Sequence, residues 1–117
     1  MTVSITGLDL IVLGQAARQA VGRELYLSGQ EIMAESRDEC PVDTGNLRRS
    51  GQVIQDADGA VELSYPVDYA VYVHENLEAN HPIGKAKFLE DPVNRALPEL
   101  PQRIAEAILG SMEAGAR

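Results

Sequence analysis

The sequence predicts an α+β fold: a long N-terminal helix and a C-terminal helix packed on a small antiparallel β-sheet. Three observations predict it. Apolar or small residues recur at intervals of three and four through residues 9–39. Val61, Leu63 and Tyr65 alternate with Glu62 and Ser64 just after the turn dipeptide Asp58-Gly59. A second helical stripe runs from Leu89 through Val93, Leu97, Leu100, Ile104 and Ile108 to Met112.

Taken in chain order, Val3 and Ile5 alternate with Thr2, Ser4 and Thr6, a short strand pattern. The long helix follows, with Leu10, Leu13, Ala17, Ala20/Val21, Leu25, Ser28 and Ile32 on one face. Asp9 is placed to cap it and Pro41 ends it, because the residue before proline avoids helical backbone. At 1.5 Å per residue this helix is about 45 Å long. That exceeds what so small a domain needs, so part of it is expected to project or to pack against another subunit. Gly14, Gly22 and Gly29 recur along it and would allow close approach of a neighbour. Residues 47–55 and 60–65 read as a hairpin around Asp58-Gly59, although the first arm alternates poorly. Residues 69–74 read as one or two helical turns with Tyr69 and Val73 inward, and 76–87 as a polar loop. Asp91-Pro92 reads as a helix cap followed by proline at the first helical position. Pro98 and Pro101 must kink or split the last helix, since each removes a backbone donor.

The chain has 117 residues, close to the modal size of one domain, and residues 1–117 are expected to form one. It holds no run of about 18 apolar residues, so no membrane span is expected. Met1–Thr6 has neither a basic flank nor a long apolar stretch, so no signal peptide is expected. The lone Cys40 builds no internal disulfide and suits a reducing compartment. The net charge of −8 is unevenly spread: −2 over residues 1–50, −6 over 51–80 and zero over 81–117. Such a chain gains no counterion-release energy on DNA, which disfavours sequence-independent nucleic-acid binding. The pairs Arg48-Arg49 and Lys85/Lys87 flank the acidic stretch, an arrangement suited to head-to-tail contact between identical subunits.

Asp43-Thr44-Gly45 matches the triplet that dimeric aspartic proteases supply from each subunit, where two carboxylates share one proton. Those enzymes need apolar strands around the triplet. Here Asp38-Glu39-Cys40-Pro41 precedes it and Arg48-Arg49 follows, so a turn is the expected role. His74, Glu75, Glu78 and His81 have ligand chemistry but no metal-site spacing, and no metal or cofactor is expected. Cys40 ends a helix, where the dipole opposes thiolate formation, so it is expected to be inert.

Three blocks together carry a resemblance. They are Pro41-Val42-Asp43-Thr44-Gly45-Asn46-Leu47-Arg48-Arg49-Ser50, then Tyr69-Ala70-Val71-Tyr72-Val73-His74-Glu75, then Gly84-Lys85-Ala86-Lys87-Phe88-Leu89-Glu90-Asp91-Pro92. In this order, after a long helix, they resemble the small neck or tail-completion proteins of long-tailed double-stranded-DNA bacteriophages, also called minor capsid or head–tail connector proteins. The similarity covers roughly residues 8–110. Many relatives have Glu-x-Gly-Thr where this chain has His74-Glu75-Asn76-Leu77, and its loop to Phe88 is longer.

The resemblance implies a structural virion protein, not an enzyme. It would form a ring at the head–tail junction of a phage, prophage or gene transfer particle, after residing in the host cytoplasm. Its partners would be copies of itself and other connector, tail-terminator or tail-tube proteins, with DNA at most passing through the ring lumen. Within it, Pro41, Asp43, Thr44, Gly45 and Leu47 are expected to form a structural corner. Tyr69, Tyr72, Phe88 and Leu89 are expected to anchor the core, and Arg48, Arg49, His74, Glu75, Lys85 and Lys87 to contact neighbouring subunits. The alternatives are a dimeric aspartic protease built on Asp43-Thr44-Gly45 and an unrelated small cytoplasmic adaptor.

Overall fold

The fold is α+β, as seen in a computed structural model that describes residues 1–5, 14–42, 45–77 and 84–115. Strand β1 spans Thr2–Ile5 and helix α1 spans Gln15–Glu39. A single helical turn α2, Asn46–Ser50, precedes β2 (Gln52–Gln55) and β3 (Val61–Ser64). Helix α3 covers Ala70–Glu75 and α4 covers Glu90–Ala96. A 3-10 turn at Leu97–Glu99 joins α4 to α5, Leu100–Gly115. The proposed cap Asp9 and the stripe residues Leu10 and Leu13 lie outside the described residues.

The sheet order is β1-β3-β2, with both neighbours antiparallel to β3. β3 is central because it carries the most apolar face: Val61 and Leu63 are fully buried, as is Tyr65 directly after the strand. Val3 and Val53 flank Leu63 on that face, and Ile5 and Gln55 flank Val61. The Gln55 amide lies at the margin of the inner face and donates to the carbonyls of Gly22 (2.7 Å) and Gly59 (3.1 Å). The Asp56 carboxylate closes the hairpin turn by accepting the N–H groups of Asp58 and Ala60. Gly59 there has a φ of 91°.

The first arm of the hairpin is shorter than the sequence suggests. Leu47–Ser50 is helical, and the strand starts only at Gln52. Its poor alternation has that cause: one turn of helix directs Leu47 inward, whereas Arg49 stays exposed. The start of α4 also differs. Leu89, not Asp91, is the N-terminal flanking residue, and it makes no side-chain cap. Asp91 and Glu90 lie in the first turn, where negative charge suits the helix dipole. Pro92 is tolerated there because the first turn has no intrahelical partner for its missing N–H.

Helix α1 lies across the sheet at Gly29. A Cβ at that position would stand 2.8 Å from Val61 Cγ1, so only glycine allows the observed approach. Helices α4 and α5 run antiparallel along α1, as two arginines mark. Arg95 reaches Glu39 at 2.6 Å, and Arg103 reaches Glu24 and Glu31, each at 2.6 Å. The length of α1 is therefore matched within its own chain: α4 and α5 cover the flank that the sheet leaves open. At Leu97–Glu99 the α-helical pattern tightens around Pro98, so the stripe rotates and Leu97 becomes 48% exposed.

Candidate assembly surface

The C-terminus of α1 and the turn α2 make a tight corner. Gly45 precedes α2 with φ 84° and ψ −4°, a left-handed conformation that costs a residue with a Cβ about 1–2 kcal/mol. Leu47 is buried in the core. The Arg48 guanidinium folds back on the end of α1 and donates to the Cys40 carbonyl at 2.9 Å. That places its charge at the negative end of the helix dipole. Arg49 donates to Asn46 Oδ1 at 2.7 Å, and Arg37 to the Gly51 carbonyl at 2.5 Å. Pro41 is half-buried. Asp43 and Thr44 lie outside the described residues, so their expected bonds in the corner are not described. The segments on either side, α1 and α2, are helices. Cys40 is fully buried, and burial pushes its thiol up to about 11 against the opposing pull of Arg48. It is therefore a protonated thiol at neutral pH.

A second cluster joins α3 to the start of α4. His74 is 4% exposed and stands edge-on to Phe88, with ring centroids 5.1 Å apart. Its Nε2 accepts the Glu90 N–H at 3.1 Å. Nδ1 therefore carries the proton and donates to Glu75 Oε1 at 2.9 Å. The His74 carbonyl accepts the Lys87 N–H at 2.8 Å. The Lys87 ammonium pairs with Glu75 and, at 3.1 Å, with Glu90. That hydrogen bond to Lys87, then the one from His74, holds the Glu75 carboxyl below its usual range. Ligand atoms of His74, Glu75 and Glu90 all lie within 4.8 Å of one another. The geometry could hold a cation, but Lys87 already supplies positive charge to both carboxylates and the Nε2 lone pair is in use. His81 and Glu78 lie outside the described residues.

Lys85 is tied down as well. Its ammonium pairs with Asp91 and, at 3.6 Å, with Glu39, and its N–H donates to the Glu39 carbonyl at 2.8 Å. The basic residues selected for intersubunit contact thus all have partners within their own chain.

Phe88 and Leu89 are buried at 0% and 1% exposure. Tyr69 and Tyr72 are not core anchors: they are 45% and 71% exposed. The helix phase explains this. Ala70 and His74, one turn apart, face the core, which turns Tyr69 and Tyr72 outward and leaves Val73 half-buried. The tyrosine beside Phe88 is Tyr65, edge-on with centroids 5.1 Å apart and an interplanar angle of 88°. The Ala70/His74 spacing was the available signal. It is easily missed, because histidine is an unusual inward residue and two tyrosines compete for the role.

The outward side of α3 and the residues after it carry Tyr69, Val71 (53% exposed), Tyr72 and Leu77 (72%). Elsewhere, an apolar groove of about 600 Å3 runs between β1 and α5, walled by Val3, Ile5, Leu25, Leu97, Leu100 and Ile104. None of the described helices is long and apolar enough to cross a membrane. No family model matches the chain, and no curated protein or solved structure to which it was compared is similar to it.

Proposed function

We propose that this chain is a structural protein of a tailed-phage-like particle that forms a ring at the head–tail junction and helps join the tail to the DNA-filled head. One observation carries the reading: the three sequence blocks that resemble neck proteins converge in space. Leu47 of the first, Ala70 of the second and Phe88 and Leu89 of the third belong to one buried cluster. Arg48 of the first block caps α1, and Lys85 of the third binds the same helix end through Glu39. Lys87 and Glu90 bind His74 of the second. A motif whose parts hold one another accounts for their joint presence as scaffold, and it leaves the α3 tyrosines free for contact. The acidic residues of 51–77 suit a ring whose lumen repels DNA if they line it.

Deleting the gene from its particle-producing host tests this directly. Electron microscopy should then show DNA-filled heads separate from finished tails, and supplying the gene in trans should rejoin them. Normal particles from the deletion would overturn the proposal. Mass measurement of the purified protein, alone and mixed with the connector and tail-end proteins of the same particle, would identify its direct partners.

A further inference from the structure

We infer that the outward face of α3 is one half of a head-to-tail contact whose other half is the outer stripe of α1 on a second copy of this chain. The inference deepens the ring reading and rests on it only for closure of the ring.

The first ground is the concentration of exposed apolar surface. Of the four tyrosines, Tyr65 is the buried one, and Tyr69 and Tyr72 stand out together on one short helix beside Val71 and Leu77. Tyrosine on a fixed backbone is a strong anchor, because it contributes a large contact area and loses little rotamer entropy. The helix is well fixed: His74 is held by Phe88, by the Glu90 N–H and by Glu75, and Ala70 is fully buried. The patch is therefore preorganised.

The second ground is charge. Residues 51–77 contain no basic residue and five acidic ones. Glu75 shares Lys87 with Glu90, and Asp68, next to Tyr69, is exposed and makes no ion pair among the described residues. Two α3 patches brought face to face would give Asp68 no free basic partner. The outward stripe of α1 is the opposite in character. Gln19, Arg23, Tyr26, Leu27 and Gln30 follow one another at helical spacing, and the carboxylate next on that row, Glu31, is held by Arg103. Tyr26 and Leu27 are 39% and 54% exposed. Arg23 is exposed and makes no ion pair among the described residues. An aromatic patch edged by Asp68 and an apolar stripe carrying Arg23 on one chain fit each other, and a contact between unlike surfaces propagates head to tail. Apolar contact supplies the affinity, while Arg23 and Asp68 set the register.

The test uses the full chain with Leu27→Cys, Tyr72→Cys, or both, and a short bis-maleimide; buried Cys40 stays in place, and the wild type is the control for its reactivity. A mixture of the two single variants should give a covalent dimer, and the double variant a ladder of multimers. In sedimentation at high concentration, Tyr72→Ser should weaken association at least about tenfold, as for an anchor residue. Arg23→Glu and Asp68→Arg should each weaken it about two- to fivefold, and the double charge reversal should restore it. These sites are exposed, so the melting temperature serves as the folding control. A dimer from Leu27→Cys alone, no ladder, or a wild-type chain still monomeric at about 1 mM would overturn the contact. None of those results bears on the head–tail reading, which the deletion phenotype tests separately.

Discussion

The hydroxyls of Ser36 and Tyr65 share a hydrogen bond of 2.7 Å in the fully buried space between α1 and the end of β3. It satisfies the polar tip of the largest fully buried side chain and sets the position of the ring against Phe88. Ser36→Ala should leave the phenol unsatisfied and cost about 1–3 kcal/mol. Tyr65→Phe should cost less, because Ser36 can turn to a carbonyl of its own helix. The double variant should be less destabilised than the sum by about 1 kcal/mol. Urea denaturation of the four proteins provides the cycle, and strict additivity would show that the bond contributes nothing.

Phe88 is packed edge-on by both Tyr65 and His74. Phe88→Ala should cost about 3–5 kcal/mol, a large share of the stability of a domain this size. Phe88→Leu keeps most of the volume and should cost under half as much. If that ranking were reversed in the denaturation midpoints, Phe88 would not anchor the core.

Two glycines of α1 should respond to alanine with opposite signs. At Gly29 the new Cβ meets Val61 at 2.8 Å, so overpacking of about 1–3 kcal/mol outweighs the gain in helix propensity. At Gly22 the nearest atom is the Gln55 amide nitrogen at 3.6 Å, an ordinary contact. Gly22→Ala should therefore stabilise by about 0.5–1 kcal/mol. Thermal melts of the two variants would decide the matter.

The corner should depend on Gly45 and Arg48. Gly45→Val should cost about 1–3 kcal/mol because φ is 84°, whereas Gly45→Asn should be milder. Arg48→Glu should also destabilise the isolated chain, since it places a carboxylate beside the Cys40 carbonyl that Arg48 now satisfies. An Arg48→Glu protein as stable as the wild type would show that the cap is dispensable.

Alkaline pH should destabilise the protein through two buried acids. Burial raises the Cys40 thiol from 9.0 to about 11 and the Tyr65 phenol from 10.0 to about 12. Each group ionises more easily in the unfolded chain, so the unfolded state binds fewer protons in these ranges. Stability from Cys40 is complete below about pH 9 and is lost up to about 11; that from Tyr65 is complete below about 10 and is lost up to about 12. Cys40→Ala should flatten the first part of that decline and reduce the second only slightly, because the Cys40 thiolate is a minor cause of the raised Tyr65 phenol beside burial. A stability flat from pH 8 to 11 in the wild type would contradict the burial of the thiol.

Much of the fold was legible in the sequence because it depends on periodicity. The stripe Ala17, Ala20, Val21, Leu25, Ser28 and Ile32 is the buried face of α1, and Val61 and Leu63, continued by Tyr65 just past the strand, are the buried face of β3. Pro98 marks the junction between α4 and α5. Repeats of 3.6 and 2 residues are local properties, so the chain determines them before any packing occurs. Tertiary structure decided the partners. Whether Tyr65 or Tyr69 would accompany Phe88 depended on the phase of a six-residue helix, which is set by what fits against the core. Whether Arg48, Lys85 and Lys87 would face a neighbour or their own chain depended on where the C-terminus of α1, Glu75 and Asp91 came to lie. Charge and aromaticity are properties of single residues. Their use is a property of distance, and only the folded chain brings Lys87 from twelve positions away into contact with Glu75.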